Sequence, residues 1–141
     1  MNPKHKFFLN ETVKFVAKEL KLQALPRKIV IVNDVKFPEK MLSFDVYNVN
    51  TDEIHIYGGS RHIADVCRTL CHELAHHKQR EDGHISSNTD LAEIETQADT
   101  AAGMIMKLYV RMHPEIIKWD TTKLPTNPPL LLQAIISRCK T

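Results

Sequence analysis

The sequence lacks the features that mark a membrane-inserted, a secreted or a strongly basic chain. No apolar run approaches the roughly 20 residues that a membrane-spanning helix needs, and no signal-peptide pattern opens the chain. Three cysteines, an odd number, do not form a disulfide framework. Nineteen Lys and Arg against seventeen Asp and Glu leave a net charge of +2, too small for nucleic acid as the main partner. We therefore expect a soluble, cytoplasmic chain without membrane or nucleic-acid partners, although secretion without a signal and packaging into a larger particle stay open.

Histidine is the residue that the sequence has in excess, with eight His against four Gly. A chain of 141 residues fits one domain. Such a chain can bury about two-thirds of its unfolded surface, so it needs no disulfide to fold. The histidine excess suggests a metal site, but composition alone does not say which residues would form it.

The N-terminal part of the chain predicts one helix and then short strands. Asn10 can cap a helix over residues 11–22, whose apolar side chains repeat at helical spacing. The β-branched run at 29–32 is typical of a buried strand. Apolar and polar residues alternate over 42–57 around the turn signal Asn50-Thr51-Asp52, which predicts a β-hairpin.

Two long helices and a tail follow the hairpin. Helical periodicity runs over 61–80 and again over 90–112, with Asp90 as the N-cap of the second helix. After the second helix the pattern weakens, and residues 130–138 are interpreted as one more short helix. The expected organisation is a minimal domain followed by a C-terminal tail packed on the same domain, residues 1–112 and 113–141.

The first of the two long helices contains His72-Glu73-Leu74-Ala75-His76, an H-E-x-x-H motif. At about 100° per residue, the two histidines point only about 40° apart, so one metal ion can bind both imidazoles. Glu73 is displaced by one residue step, which suits a base that takes a proton from water on the metal. The apolar stripe of the helix lies on the opposite side, so we expect the histidines to face a cleft. Two solvated surface histidines are the alternative interpretation.

Zinc in a hydrolase usually has three protein ligands and one open position, so we expect a third ligand downstream. The candidates are Glu81, Asp82, His84, Asp90, Glu93, Glu95 and Asp99. Glu95 is favoured because Asp99 follows one turn later on the same face, where it can accept the free N–H of His72 and orient the imidazole. The predicted zinc ligands are His72, His76 and Glu95. Glu73 is the predicted base, and Asp99 is the predicted partner that orients His72.

The paired motifs His72-Glu-Leu-Ala-His76 and Glu95-Thr-Gln-Ala-Asp99 resemble the HExxH…ExxAD pattern of gluzincin metallopeptidases. Within that clan the chain is similar to the CaaX-prenyl-protease type without its membrane helices, and to the minigluzincins. The resemblance covers roughly residues 10–112 and implies an α+β, zincin-like domain. Such a domain has an N-terminal helix, a small, mostly antiparallel sheet of about three strands, an active-site helix and a glutamate helix.

The resemblance further implies a cleft bordered by an edge strand, to which a peptide adds as an antiparallel strand. That strand is expected at Glu53–Tyr57, directly before the active-site helix. Larger gluzincins also carry a Tyr or His that stabilises the oxyanion. The sequence does not identify this residue, and Tyr57, His55 and His84 stay open as candidates.

The expected function is that of a zinc-dependent peptidase, which hydrolyses peptide bonds with a metal-activated water and Glu73 as the general base. Its partner would be a peptide or protein substrate, and the oligomeric state is not predicted. The alternative is a non-catalytic zincin-like module that binds metal and acts as a regulator or an assembly component. The intact Glu73 argues against this alternative, because a binding module has no need of that carboxylate.

Overall fold

Helices and short strands follow one another in the computed structural model, which describes residues 3–32, 45–59, 61–85, 90–118 and 130–131. The helices are α1 (Pro3–Leu20), α2 (Ile63–Glu81), α3 (Leu91–Met112) and the short α4 (Glu115–Lys118). The strands are β1 (Lys28–Val32), β2 (Asp45–Asn48), β3 (Glu53–Tyr57) and β4 (Leu130–Leu131). The predicted α+β class, with an N-terminal helix, a small sheet and two long helices, is confirmed. None of the helices within the described ranges combines the length and the apolar character needed to cross a membrane.

The sheet has the strand order β2-β3-β1-β4. β2 and β3 form an antiparallel hairpin, with Tyr47 opposite Ile54, and β4 is antiparallel to β1. β3 runs parallel to β1, with Ile29 opposite Ile54. Because two of the three pairings are antiparallel, the sheet is mostly antiparallel, as expected. The first residues of the predicted hairpin, 42–44, lie outside the described ranges.

β3 is not the edge strand that the sequence suggested. Glu53–Tyr57 pairs with β1 on one side and with β2 on the other, so no side of this strand is open to a peptide. Its parallel pairing with β1 joins segments that are far apart in the chain, and the local alternation of β3 carries no sign of it. Within the described residues, β2 is the strand at this edge of the sheet.

One face of the sheet packs against the helices and forms the core. Four isoleucines of β1 and β3 are fully buried on this face: Ile29, Ile31, Ile54 and Ile56. The apolar stripe of α2 is fully buried as well: Ile63, Val66, Cys67, Leu70 and Leu74. Because α2 contacts α1, α3 and the sheet, it is the central helix of the domain. His72 and His76 lie on the side opposite this stripe, as the helical spacing predicts.

α1 begins at Pro3 rather than at residue 11, so the prediction that Asn10 caps the helix is wrong. Phe8 and Leu9 are 3% and 0% exposed, and burying them extends the helix toward the N-terminus against the preference of Asn for a cap. Proline is accepted in a first turn because its missing N–H would have no partner there. Asn10 therefore lies inside the helix, where its buried Oδ1 has no hydrogen-bond partner among the residues described.

The C-terminal tail contributes a strand where the sequence suggested a helix. Leu130 and Leu131 pair with Ile31 and Val30 of β1. The prediction of a helix over 130–138 is therefore wrong for its first two residues. The pairing satisfies backbone groups on the outer side of β1, which a helix at this position would leave unpaired. The rest of the predicted helix lies outside the described ranges.

The start of the tail lies against the domain. Ile116 of α4 is fully buried and belongs to the main hydrophobic core, and α4 contacts both α2 and α3. Together with β4 on β1, the described parts of residues 113–141 therefore pack on residues 1–112.

Candidate metal centre

α2 and α3 lie side by side, which brings the two sequence motifs together. Small side chains of α3 face α2: Ala98 and Ala102 are each 1% exposed, and the Cys71 Sγ lies 3.9 Å from the Ala102 carbonyl oxygen. Short side chains at a helix interface allow the two helices to approach closely. Glu95 and Asp99, one turn apart near the start of α3, can therefore reach the histidines of α2.

The two histidines and Glu95 bring three metal-ligating groups to one place. His72 Nε2 and His76 Nε2 lie 3.1 Å apart. One Glu95 carboxylate oxygen lies 3.2 Å from His72 Nε2, and the other lies 2.9 Å from His76 Nε2. Glu95 approaches from the solvent side, since its side chain is 59% exposed while those of the histidines are 14% and 10% exposed. The group is thus formed by two helices and is open on the side of Glu95.

Each imidazole also has a contact at its other nitrogen. His72 Nδ1 lies 2.9 Å from Asp99 Oδ1. His76 Nδ1 lies 2.8 Å from Oε1 of Gln79, a buried residue on the same helix. Both oxygens are hydrogen-bond acceptors, and they favour the tautomer that carries its proton on Nδ1 and leaves Nε2 available to a metal. The contact of Asp99 agrees with the sequence prediction. The contact of Gln79 was not predicted, although its spacing of three residues from His76 on one helix is a signal for it.

Glu73 lies beside the histidines in a buried position. The residue is 3% exposed, and His72, Glu73 and His76 form a cluster that could hold a metal ion, with ligand atoms within 4.8 Å of one another. Glu73 and Glu95 are therefore alternative carboxylate ligands. The two Glu95 oxygens contact the imidazoles directly, at 3.2 and 2.9 Å, and on this ground Glu95 is the better candidate for a third ligand.

A cleft of about 380 Å³ opens at this cluster, between β2 with its following turn, α2 and the start of α3. Its polar side consists of His72, Glu73, His76 and Glu95. Its apolar side consists of Val46, Val49, Ile85, Leu91 and Ile94, and Tyr47 completes the lining. This apolar side was not predicted from the sequence, because its residues come from separate segments with no common local pattern. The cleft therefore combines metal-ligating groups, apolar surface and an edge strand.

The remaining acidic candidates for a third ligand have contacts elsewhere. Glu81 accepts hydrogen bonds from two backbone N–H groups in the segment after α1, at 3.1 and 2.9 Å. Asp82 forms an ion pair with Lys78 at 3.2 Å. Asp90 is the N-cap of α3, as predicted, and Glu93 accepts a hydrogen bond from an amide one turn later at 3.3 Å. Of the acidic candidates, Glu95 and Asp99 are the two with contacts to His72 or His76 among the described residues.

The three residues left open as oxyanion stabilisers do not line the cleft. His55 Nε2 lies 3.2 Å from a carboxylate oxygen of Glu53, on the same strand. Tyr57 is 8% exposed and belongs to the buried part of the sheet, and His84 lies in the exposed connector after α2. None of these three residues is therefore placed for this role.

A second buried histidine, His77, fixes the wall of the cleft that β2 forms. The residue is 2% exposed, its Nε2 donates to the Ala24 carbonyl oxygen at 2.7 Å, and its Nδ1 lies 3.1 Å from both the Tyr47 hydroxyl and Asp52 Oδ1. The Tyr47 hydroxyl donates to Asp52 at 2.8 Å. Burial, and then this hydrogen bond, raise the pKa of Tyr47 above its ordinary range. The network joins residues from separate segments, so no local pattern indicated it.

Comparison with known proteins supplies no relative. No protein-family model matches the chain, and none of the curated proteins or solved structures compared with it matches. The resemblance of the paired motifs to gluzincins therefore stays an expectation, and the function has to be argued from the geometry of the site.

Proposed function

We propose that the protein is a zinc-dependent peptidase, with His72, His76 and Glu95 as the zinc ligands and Glu73 as the general base. One observation carries the proposal. The Nε2 atoms of two histidines and the carboxylate of Glu95 approach one another at 2.9 to 3.2 Å, next to the buried residue Glu73 and in the lining of a cleft.

The donor set fits zinc in chemical type and in spacing. Two imidazole nitrogens and one carboxylate oxygen, with a fourth position open, are typical of catalytic zinc sites. Ligand atoms bound at about 2.0–2.1 Å to one tetrahedral zinc ion lie about 3.3–3.4 Å apart. The separations of 2.9 to 3.2 Å between the nitrogens and the Glu95 oxygens need only a small expansion to reach that spacing.

The residues around this donor set fit peptide hydrolysis. Bound there, Zn²⁺ supplies Lewis acidity that polarises a scissile carbonyl and lowers the pKa of water. Glu73 takes the proton of the attacking water and passes it to the leaving amine. Its 3% exposure keeps this proton transfer away from bulk water. Asp99 holds the imidazole of His72 through the contact at Nδ1.

β2 is the strand to which we assign substrate binding. It lies at the edge of the described sheet, and its residues Val46 and Tyr47 line the cleft beside the histidines. An extended peptide paired with β2 would lay its backbone across the cluster, and the apolar side of the cleft would receive an apolar side chain. β2 replaces β3 in this role because β3 is paired on both sides.

The test compares zinc content and peptide cleavage between the parent protein and Glu73→Gln. Glutamine has nearly the same shape as glutamate but cannot act as a base, so we expect unchanged zinc content and a loss of cleavage of about 100-fold or more. The substrates are a peptide library that varies apolar and charged residues around the scissile bond. Glu93→Gln is the matched control, because it makes the same change on α3 outside the cluster and should leave cleavage unchanged.

The same experiment separates the enzyme from a binding module. If the parent and Glu73→Gln retain zinc and neither cleaves any peptide of the library, the peptidase proposal fails and a non-catalytic metal-binding module becomes the better account. Glu95→Ala tests the ligand assignment, since an unchanged zinc affinity in this variant would remove Glu95 from the ligand set.

A further inference from the structure

Gln79 joins His76 to the backbone of α3. The residue is 7% exposed, its Oε1 lies 2.8 Å from His76 Nδ1, and its Nε2 donates to the Ile94 carbonyl oxygen at 3.0 Å. The Oε1 of Gln97 lies 3.5 Å from the same amide nitrogen. One buried amide thus connects a histidine of the cluster to the residue that directly precedes Glu95.

The contacts of this amide allow only one orientation. A backbone carbonyl oxygen accepts hydrogen bonds and cannot donate, so the NH₂ group of Gln79 must face Ile94. Oε1 then faces His76 and, as an acceptor, requires a proton on Nδ1. A neutral imidazole carries one proton, so Nε2 is left with a free electron pair on the side of Glu95. The reversed amide would place oxygen against oxygen and leave buried polar groups unpaired.

We propose that Gln79 is a positioning residue, which holds His76 in the tautomer protonated at Nδ1 and so prepares Nε2 to bind a metal ion. The inference rests on the metal site proposed above. Asp99 makes the corresponding contact with His72, but its side chain is 69% exposed, so water can take its place. The buried Gln79 has no such replacement, and its loss should weaken metal binding more than the loss of Asp99.

Two substitutions separate positioning from packing. Gln79→Met keeps the length of the side chain but makes neither hydrogen bond, whereas Gln79→Glu keeps an acceptor for His76 and replaces the donor to Ile94 with a second carboxylate oxygen. At about pH 8, where imidazole is neutral, we expect Gln79→Met to bind zinc about 10- to 100-fold more weakly than the parent. We expect Gln79→Glu to bind zinc at least as tightly as the parent. Both variants lose the bond to Ile94, so both metal-free proteins should unfold at a lower temperature than the parent.

The matched controls are Gln97→Met and Gln97→Glu, which make the same changes at the exposed neighbour on α3. The contact of Gln97 with Gln79 is 3.5 Å long, at the limit of a hydrogen bond, and both controls keep the shorter bond from Gln79 to Ile94. Both should bind zinc as the parent does, which would show that an added charge near the cluster is not sufficient to change the zinc affinity. Nitrogen-15 NMR spectra of the metal-free protein give a second measurement that needs no zinc. We expect His76 to be protonated at Nδ1 in the parent and to lose this preference in Gln79→Met.

Equal zinc affinities of Gln79→Met and Gln79→Glu, or an affinity of Gln79→Met equal to that of its control, would show that Gln79 acts only through packing. A parent that binds zinc but carries the His76 proton on Nε2 when metal-free would overturn the positioning role alone. A parent that binds no zinc at all would overturn the metal site itself, and the role of Gln79 with it.

Discussion

Removing the carboxylate of Asp99 should weaken zinc binding by a modest and specific amount. Asp99 Oδ1 lies 2.9 Å from His72 Nδ1, so Asp99→Ala removes the acceptor that orients this imidazole. Losing such a partner typically costs 10- to 100-fold in metal affinity. Because the Asp99 side chain is 69% exposed, water can replace the lost acceptor, and we expect the lower end of this range. The predicted loss is about tenfold, which corresponds to about 1.4 kcal/mol.

Competition titration against a chromophoric zinc chelator measures this loss. Asp99→Asn retains an amide oxygen that can accept from His72, so its loss should be smaller than that of Asp99→Ala. Glu93→Ala removes a carboxylate from the same helix without touching the cluster, and it therefore controls for the change in net charge. The difference between Asp99→Ala and Glu93→Ala should persist at about 1 M salt, where the Debye length is about 3 Å. Equal zinc affinities of these two variants would refute the orienting role of Asp99.

Three further predictions concern the rest of the fold. Burial raises the pKa of the thiols of Cys67 and Cys71 to about 12. With the third cysteine replaced by serine, the folded protein should therefore take up no iodoacetamide at about pH 8. Labelling seen by mass spectrometry before unfolding would contradict the buried positions. Asn10→Ala should stabilise the protein by about 1 kcal/mol in denaturant unfolding, because it removes an unpaired buried oxygen from a helix interior. A loss of stability of similar size would instead indicate the cap predicted from sequence. Hydrogen bonding to His55 lowers the pKa of Glu53, so this carboxylate stabilises the fold above its ordinary pKa and loses that effect as the pH falls. The difference in Tm between the parent and Glu53→Gln should therefore shrink on acidification. A constant difference would be evidence against a stabilising role of the Glu53 carboxylate.

The parts of the fold that the sequence predicted are those that local spacing determines. His72 and His76 are one turn apart on one helix, and the apolar stripe on the opposite side of that helix fixes which side is buried. Asp90 precedes an unbroken helical pattern and caps it. The hairpin of β2 and β3 follows from alternation around a polar turn. None of these features needs information about distant segments.

The parts that the sequence did not predict depend on contacts between distant segments. The pairing of β3 with β1 makes β3 an interior strand, and the alternation of its own residues is the same at an edge or inside a sheet. The start of α1 was misplaced because the burial of Phe8 and Leu9 outweighs the local signal of Asn10. The contact of Gln79 with the Ile94 carbonyl exists only because α3 packs beside α2. The apolar side of the cleft likewise forms only where segments that are distant in the chain come together.

The proposed metal site is tested most directly by an anomalous-difference map, at the zinc absorption edge, from crystals of the zinc-loaded protein. We expect one strong peak about 2.0–2.1 Å from His72 Nε2, His76 Nε2 and a carboxylate oxygen of Glu95. Glu73 should lie beside this peak without coordinating the metal. A peak at any other group of side chains, or no peak in protein that carries stoichiometric zinc in solution, would contradict the central claim that these three residues form the metal site.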